Sequence, residues 1–285
     1  MTSQPGGSQE FAPANNTVPS PLAQALTQFG YEFLNYLRSK RFYILLAITA
    51  AIGAAITGAL YYYRPSAYLS SPLAFYSVWW GSVASLFVIL SGIFYGADAI
   101  STEFQNRTGY YLLPNPVNRS SVYLGKFLAA FVASAITVAV FAAITVADAS
   151  IYFGANIPTE FAEAFLFTII YILPMLGVSF FFSSVFKNNS YSILVSVMVL
   201  WIGFSYLLPL IVTLTGSEPW YLLSYGGQII GNVVKPSGYP THVTVAGGIT
   251  TSYATTVPEG LAIMLGYLVV FVILGLVLFE RKDLD

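Results

Sequence analysis

The sequence predicts an all-α polytopic membrane protein with six transmembrane helices, an N-terminal interfacial amphipathic helix and both termini in the cytoplasm. Three observations predict it. Hydrophobic residues make up 56% of the 285 positions and charged residues only 8%, with a mean hydropathy of +0.72. A soluble domain carries roughly 25% charged residues, so lipid must cover much of this surface. Six apolar runs approach the roughly 20 residues that cross a hydrocarbon core of about 30 Å. When those runs alternate in direction, nine of the eleven Lys and Arg residues fall on one side: Arg38, Lys40, Arg41, Arg107, Arg119, Lys126, Lys187, Arg281 and Lys282. Arg64 and Lys235 fall on the other. Positive charge marks the cytoplasmic side, and an odd number of spans would split the charges more evenly.

Residues 1–21, rich in Pro, Ser, Asn and Gln, read as a disordered tail. They have no basic start and no apolar run, so they do not read as a secretory signal. In residues 22–41, Leu22, Leu26, Phe29, Phe33 and Leu37 recur at three- and four-residue steps, which predicts an amphipathic helix. It leads directly into the first span, so it is expected to lie in the membrane interface; the alternative is a helix packed on a partner.

The spans follow at about 42–63, 74–97, 122–147, 164–186, 191–214 and 261–279, forming one domain over 42–285. Tyr61, Tyr62 and Tyr63 give the first an aromatic belt. The second begins near Trp79 and Trp80 and holds Gly92-x-x-x-Gly96, a spacing that permits close helix approach, within one subunit or at a dimer seam. Pro174 with Gly177 and Pro209 predict kinks in the fourth and fifth. The loop 215–258 is the longest outer segment. Its 220–234 stretch predicts a short re-entrant or interfacial helix, and 241–245 and 250–255 alternate like strands.

Catalytic chemistry is scarce. There is no cysteine, hence no disulfide and no thiolate site. The one histidine, His242, cannot build a two-histidine metal motif or a Ser-His-Asp triad, and reads as a solvated loop residue. No phosphate-binding G-x-x-x-x-G-K-[ST] loop is present: Gly125-Lys126 lacks the earlier Gly and the following hydroxyl residue. The net charge of −1 argues against nucleic acid. The spans are nearly free of charge, with Asp98 and Lys126 at cytoplasmic ends and Asp148 just beyond an outer end; this weakens an ion-coupled carrier.

The charged exception is the segment 98–126, holding Asp98, Glu103, Arg107, Arg119 and Lys126. Its front half predicts a helix with Ile100, Phe104 and Thr108 on one face and an i, i+4 pair of Glu103 with Arg107. Thr108-Gly109 can end that helix. Pro114 and Pro116 then impose an extended turn, and Asn118 or Ser120 can cap the helix resuming at Val122. The shape suits docking.

Glu103, Arg107, Thr108-Gly109, Leu112-Leu113, Pro116, Arg119 and Gly125-Lys126 in this order resemble the permease subunits of type-two ATP-binding-cassette exporters. The ending Phe279-Glu280-Arg281-Lys282-Asp283-Leu284 is similar to that family's usual ending, and the resemblance spans about residues 22–285. Pro114 departs from the pattern, and the Gly- and Thr-rich stretch 236–256 is not explained by it. The resemblance implies a non-catalytic exporter subunit in the cell membrane. It implies pairing with a second, like or unlike, permease, and ATP and Mg²⁺ carried by separate ATPase subunits. Segment 98–121 would be the coupling helix, with Asp98, Glu103, Arg107, Thr108, Gly109, Pro116, Arg119 and Lys126 as the coupling residues. An ion-coupled secondary carrier and a non-transporting membrane scaffold are the competing readings. The cargo is not legible, though clean apolar spans suit a lipidic or amphipathic one.

Overall fold

The computed structural model describes residues 19–106, 118–154, 156–246 and 250–282. Most of the expected tail lies outside them. So do Arg107, Thr108, Gly109, Leu112, Leu113, Pro114, Pro116, Asp283 and Leu284.

Helix α1 (Pro21–Arg38) starts where Ser20 Oγ accepts the Ala23 N–H at 3.3 Å and Pro21 presets the first turn. Ser39 is extended, which breaks the path, and its Oγ caps α2 (Lys40–Tyr63) through the Phe42 N–H. Arg64 in the left-handed conformation ends α2. Helix α3 (Pro72–Gln105) is capped by Ser71 and carries two π-helical stretches, Ser77–Gly81 and Gly92–Gly96, then turns at 97–100. Helix α4 (Arg119–Phe153) is capped by Asn118, so it resumes three residues before the expected start. Helix α5 (Thr159–Val185) contains Pro174. The chain continues through α6 (Asn189–Gly203), capped by Asn188 and ending in a π stretch, into α7 (Phe204–Thr215).

Among the described residues, five helices, α2, α3, α4, α5 and α10 (Val257–Arg281), are individually long and apolar enough to cross a bilayer. The remaining predicted run is covered by α6 and α7 in series. The protein is thus an all-α membrane protein, with one small antiparallel hairpin outside the helices. That hairpin pairs β1 (Val243–Ala246) with β2 (Thr250–Tyr253), Val243 opposite Tyr253, where the sequence alternates.

Helix α5 is central and packs on α10, α3, α4 and the short helix α9 (Ile229–Val233). With α8 (Leu223–Gly227), α9 forms a pair of short helices over the stretch expected to be re-entrant or interfacial: Leu223, Ile229 and Ile230 are buried in the core. Trp79 and Trp80, with Phe75 and Tyr76, fill the core near this pair. Trp80 stacks on Phe141 at 5.5 Å and donates its Nε1–H to Thr168 Oγ1 at 3.0 Å, so its polar handle is satisfied. Tyr61, Tyr62 and Tyr63 stay exposed, as a belt requires.

Helix α4 runs past the expected span to Phe153, so Asp148 is helical; it is buried and accepts a hydrogen bond from Thr57 on α2. The Gly92/Gly96 face meets α5 of the same chain. A Cβ on Gly96 would sit 2.6 Å from Ser179 Cβ. Gly96→Leu is therefore expected to cost about 1–3 kcal/mol through overpacking, read as a lower thermal midpoint of the detergent-purified protein.

Candidate functional site

Helix ends from distant parts of the chain meet at one end of the bundle, and the charged residues of 98–126 hold them together. Lys126 is in the second turn of α4. Its position follows from the residue before it: Gly125 lies under α1, where a Cβ would meet the Ala25 carbonyl oxygen and Gln28 Cβ, each at 2.7 Å. With no side chain at 125, α1 can lie against α4, and Glu32 on α1 then reaches Lys126. Glu103 on the last turn of α3 reaches the same ammonium at 2.8 Å. Lys126 is 5% exposed, so one buried cation bridges two carboxylates from two other helices.

Around this centre a second ion pair joins Arg41 of α2 to buried Asp98. Tyr36 donates its hydroxyl to the Tyr95 carbonyl at 2.8 Å. Burial, then the negative charge of Glu32 and Asp98, hold the Tyr36 pKa well above the ordinary tyrosine value, so this donor keeps its proton. Ser183 Oγ of α5 accepts the Ile100 and Ser101 N–H groups at 2.9 and 3.0 Å. Asn189, starting α6, donates its backbone N–H to Gln105 Oε1 at 2.8 Å and its side-chain amide to Thr102 Oγ1 at 3.0 Å. The end of α3 is therefore tied to α5 and α6 as well as to α1 and α4.

The far side of the segment is tied to the C-terminus. Arg119 donates to the Glu280 carbonyl at 2.7 Å and the Lys282 carbonyl at 3.3 Å, where α10 runs out of internal donors. Ser120 donates to Glu280 Oε1 at 2.6 Å. Lys282 donates to the Ser184 and Phe186 carbonyls, both at 2.8 Å, beneath the Phe104 ring. Burial, then the like charge of Lys187, lower Lys282 to about 8.

Of the sequence-predicted coupling residues, the structure brings Asp98, Glu103, Arg119 and Lys126 together at this end. Arg107, Thr108, Gly109 and Pro116 lie outside the described residues. The expected Glu103–Arg107 pair cannot be placed for the same reason, whereas Glu103 faces Lys126. Asp98 and Lys126 point inward rather than projecting, because burial between three helices is what pairs them. Sequence reasoning missed Glu32, Arg41 and Glu280. Their one signal was charge in a chain that has little of it. His242 stands in the loop before β1 with its side chain 39% exposed, and its neighbours there, Glu218 and Glu259, went unremarked in the sequence.

A family model described as ABC-2 family transporter protein matches residues 27–284. No curated protein matches the sequence.

Lys126→Met would leave Glu32 and Glu103 facing each other without a counter-charge. The expected loss is about 3–5 kcal/mol, seen as a lower unfolding midpoint; adding Glu32→Gln and Glu103→Gln should restore most of it. Lys282 yields a pH effect of defined sign. Its folded value of about 8 lies below the ordinary 10.5, so the unfolded chain holds more protons between the two. Stability should rise with pH across that window, and Lys282→Met should flatten the slope in pH-dependent thermal unfolding.

Proposed function

The chain belongs to the ABC-2 family of transporter proteins and is a multi-pass permease subunit of an ATP-binding-cassette transporter; from that premise we propose that it is half of a dimeric exporter pathway, driven by separate ATPase subunits docked on segment 98–121. ATP and Mg²⁺ would be bound and turned over by those partners. This chain would contribute no catalytic group. The end of the bundle that holds Lys126 would face the cytoplasm of the cell, with both termini on that side.

One observation carries the reading: the Lys126 centre joins α1, α3 and α4 at a single node, and the adjoining bonds extend it to α5, α6 and α10. Force applied at 98–121 would then move whole helices rather than deform a loop, and small shifts at an effector site are amplified by such packed, discrete contacts. Glu103, Asp98, Lys126 and Arg119 would brace the segment from within. Arg107, Thr108, Gly109 and Pro116 would form the surface an ATPase meets. The exposed apolar faces of α2, with Tyr43 and Ile44, and of α10, with Val269, Val270 and Ile273, suit lipid or the second permease.

Arg107→Ala and Glu103→Ala should uncouple export or release the ATPase while membrane insertion is retained. Co-purification with the ATPase, followed by an ATPase assay, checks this; wild-type association and export in both variants would sink it. The absence of cysteine makes sidedness simple to read. A single Asn106→Cys should react with an impermeant thiol reagent only after the cells are opened.

A further inference from the structure

Three side chains from three separate elements converge on the loop side of the molecule, where α7, the hairpin and α10 meet. Glu218 lies in the loop between α7 and α8, His242 directly precedes β1, and Glu259 is in the first turn of α10. One donor atom of each lies within 4.8 Å of the others. His242 Nε2 is 3.5 Å from Glu218 Oε2, and its Nδ1 is 3.9 Å from Glu259 Oε2.

The remaining bonds of each residue fix which atoms point inward. His242 Nδ1 is 3.0 Å from the Ala254 carbonyl oxygen. A carbonyl only accepts, so Nδ1 carries the proton and Nε2 presents a lone pair in the neutral ring. That lone pair faces a carboxylate oxygen, so two acceptors point at each other. A positive species between them removes the repulsion. Glu218 receives the Tyr225 hydroxyl on Oε1 at 2.7 Å, which aims Oε2 at the histidine. Glu259 receives the Thr256 N–H and hydroxyl at 3.0 and 2.9 Å, both on Oε2, the oxygen that faces the histidine, in the capping box that starts α10. Each of the three is thus held by a hydrogen bond from outside the cluster. That is the outer support which orients histidine and carboxylate ligands of metals.

We propose that Glu218, His242 and Glu259 form a binding site for a divalent transition-metal ion of the Zn²⁺ class. Two carboxylates neutralise the double charge, and an imidazole nitrogen selects against Mg²⁺ and Ca²⁺, which take oxygen ligands. Zn–N and Zn–O bonds of about 2.0–2.2 Å at tetrahedral angles place donors about 3.4 Å apart, so side-chain rotations that draw in donors now within 4.8 Å of one another close the site. Three protein ligands leave a fourth position for water or an external group. Bound metal would clamp the hairpin onto the start of α10.

The test uses the full chain in detergent, purified through a tag that contains no histidine and stripped of metal. Zn²⁺ is titrated in competition with a chromogenic chelator. The expected result is one Zn²⁺ per chain, with affinity at least tenfold weaker in Glu218→Gln and in His242→Ala and unchanged in Glu160→Gln, an acid outside the cluster. Glu218→Gln keeps the shape of the residue, so a folded variant is available, and size-exclusion elution checks it. The imidazole NMR signal of the one histidine should shift on adding Zn²⁺ at constant pH. Absence of stoichiometric binding, equal binding by the variants, or a histidine signal that answers to pH but not to Zn²⁺ would overturn the proposal.

Discussion

The structure depends on one buried cation held between two acids. Lys126 is enclosed by α1, α3 and α4, and Glu32 and Glu103 supply its counter-charge. A buried ion pair adds little net stability compared with apolar residues of the same shape, because desolvation offsets the Coulomb gain. Its consequence is specificity. Any arrangement that separates these helices leaves a buried charge uncompensated, so one packing is strongly preferred. The adjoining bonds then propagate that choice: Ser183 takes two backbone N–H groups of α3, Asn189 ties in α6, and Arg119 with Lys282 ties in the end of α10.

The other half of the molecule is organised by shape. Trp79, Trp80, Phe75 and Tyr76 fill the space between α4 and α5, and the short helices α8 and α9 fit because glycines line their path. Gly231 lies against Gly81, so two backbones touch where side chains would hold them apart. A polar node thus holds one end of the bundle and an interlocked aromatic core fills the other.

Much of this was readable from residues alone, for identifiable reasons. Run length and low charge give the helices, since a bilayer admits few other structures. Alternation near Thr241–Val245 marked the hairpin, and Asn118 marked the cap of α4. The Gly125-Lys126 pair was read as part of a family pattern, with no account of why those residues stand there. The structure supplies it: the glycine admits α1 and the lysine binds it. The burial of Asp148 was not legible because α4 extends past the apolar run that defines it in sequence, and Thr57 on a neighbouring helix is what makes the burial tolerable. The acids beside His242 were not legible because Glu218 and Glu259 belong to other elements of the chain.

The sequence by itself determined the membrane class, the helical spans, the charge asymmetry and the segment on which the family pattern rests. These are local or compositional properties, set by the cost of placing bare backbone and charge in hydrocarbon. Only the tertiary structure decided which acid pairs with Lys126, that Asp98 and Glu103 brace inward, and that a histidine and two glutamates share one corner. Partners of that kind lie from 17 to 94 residues apart along the chain, and no periodicity records a contact made by packing.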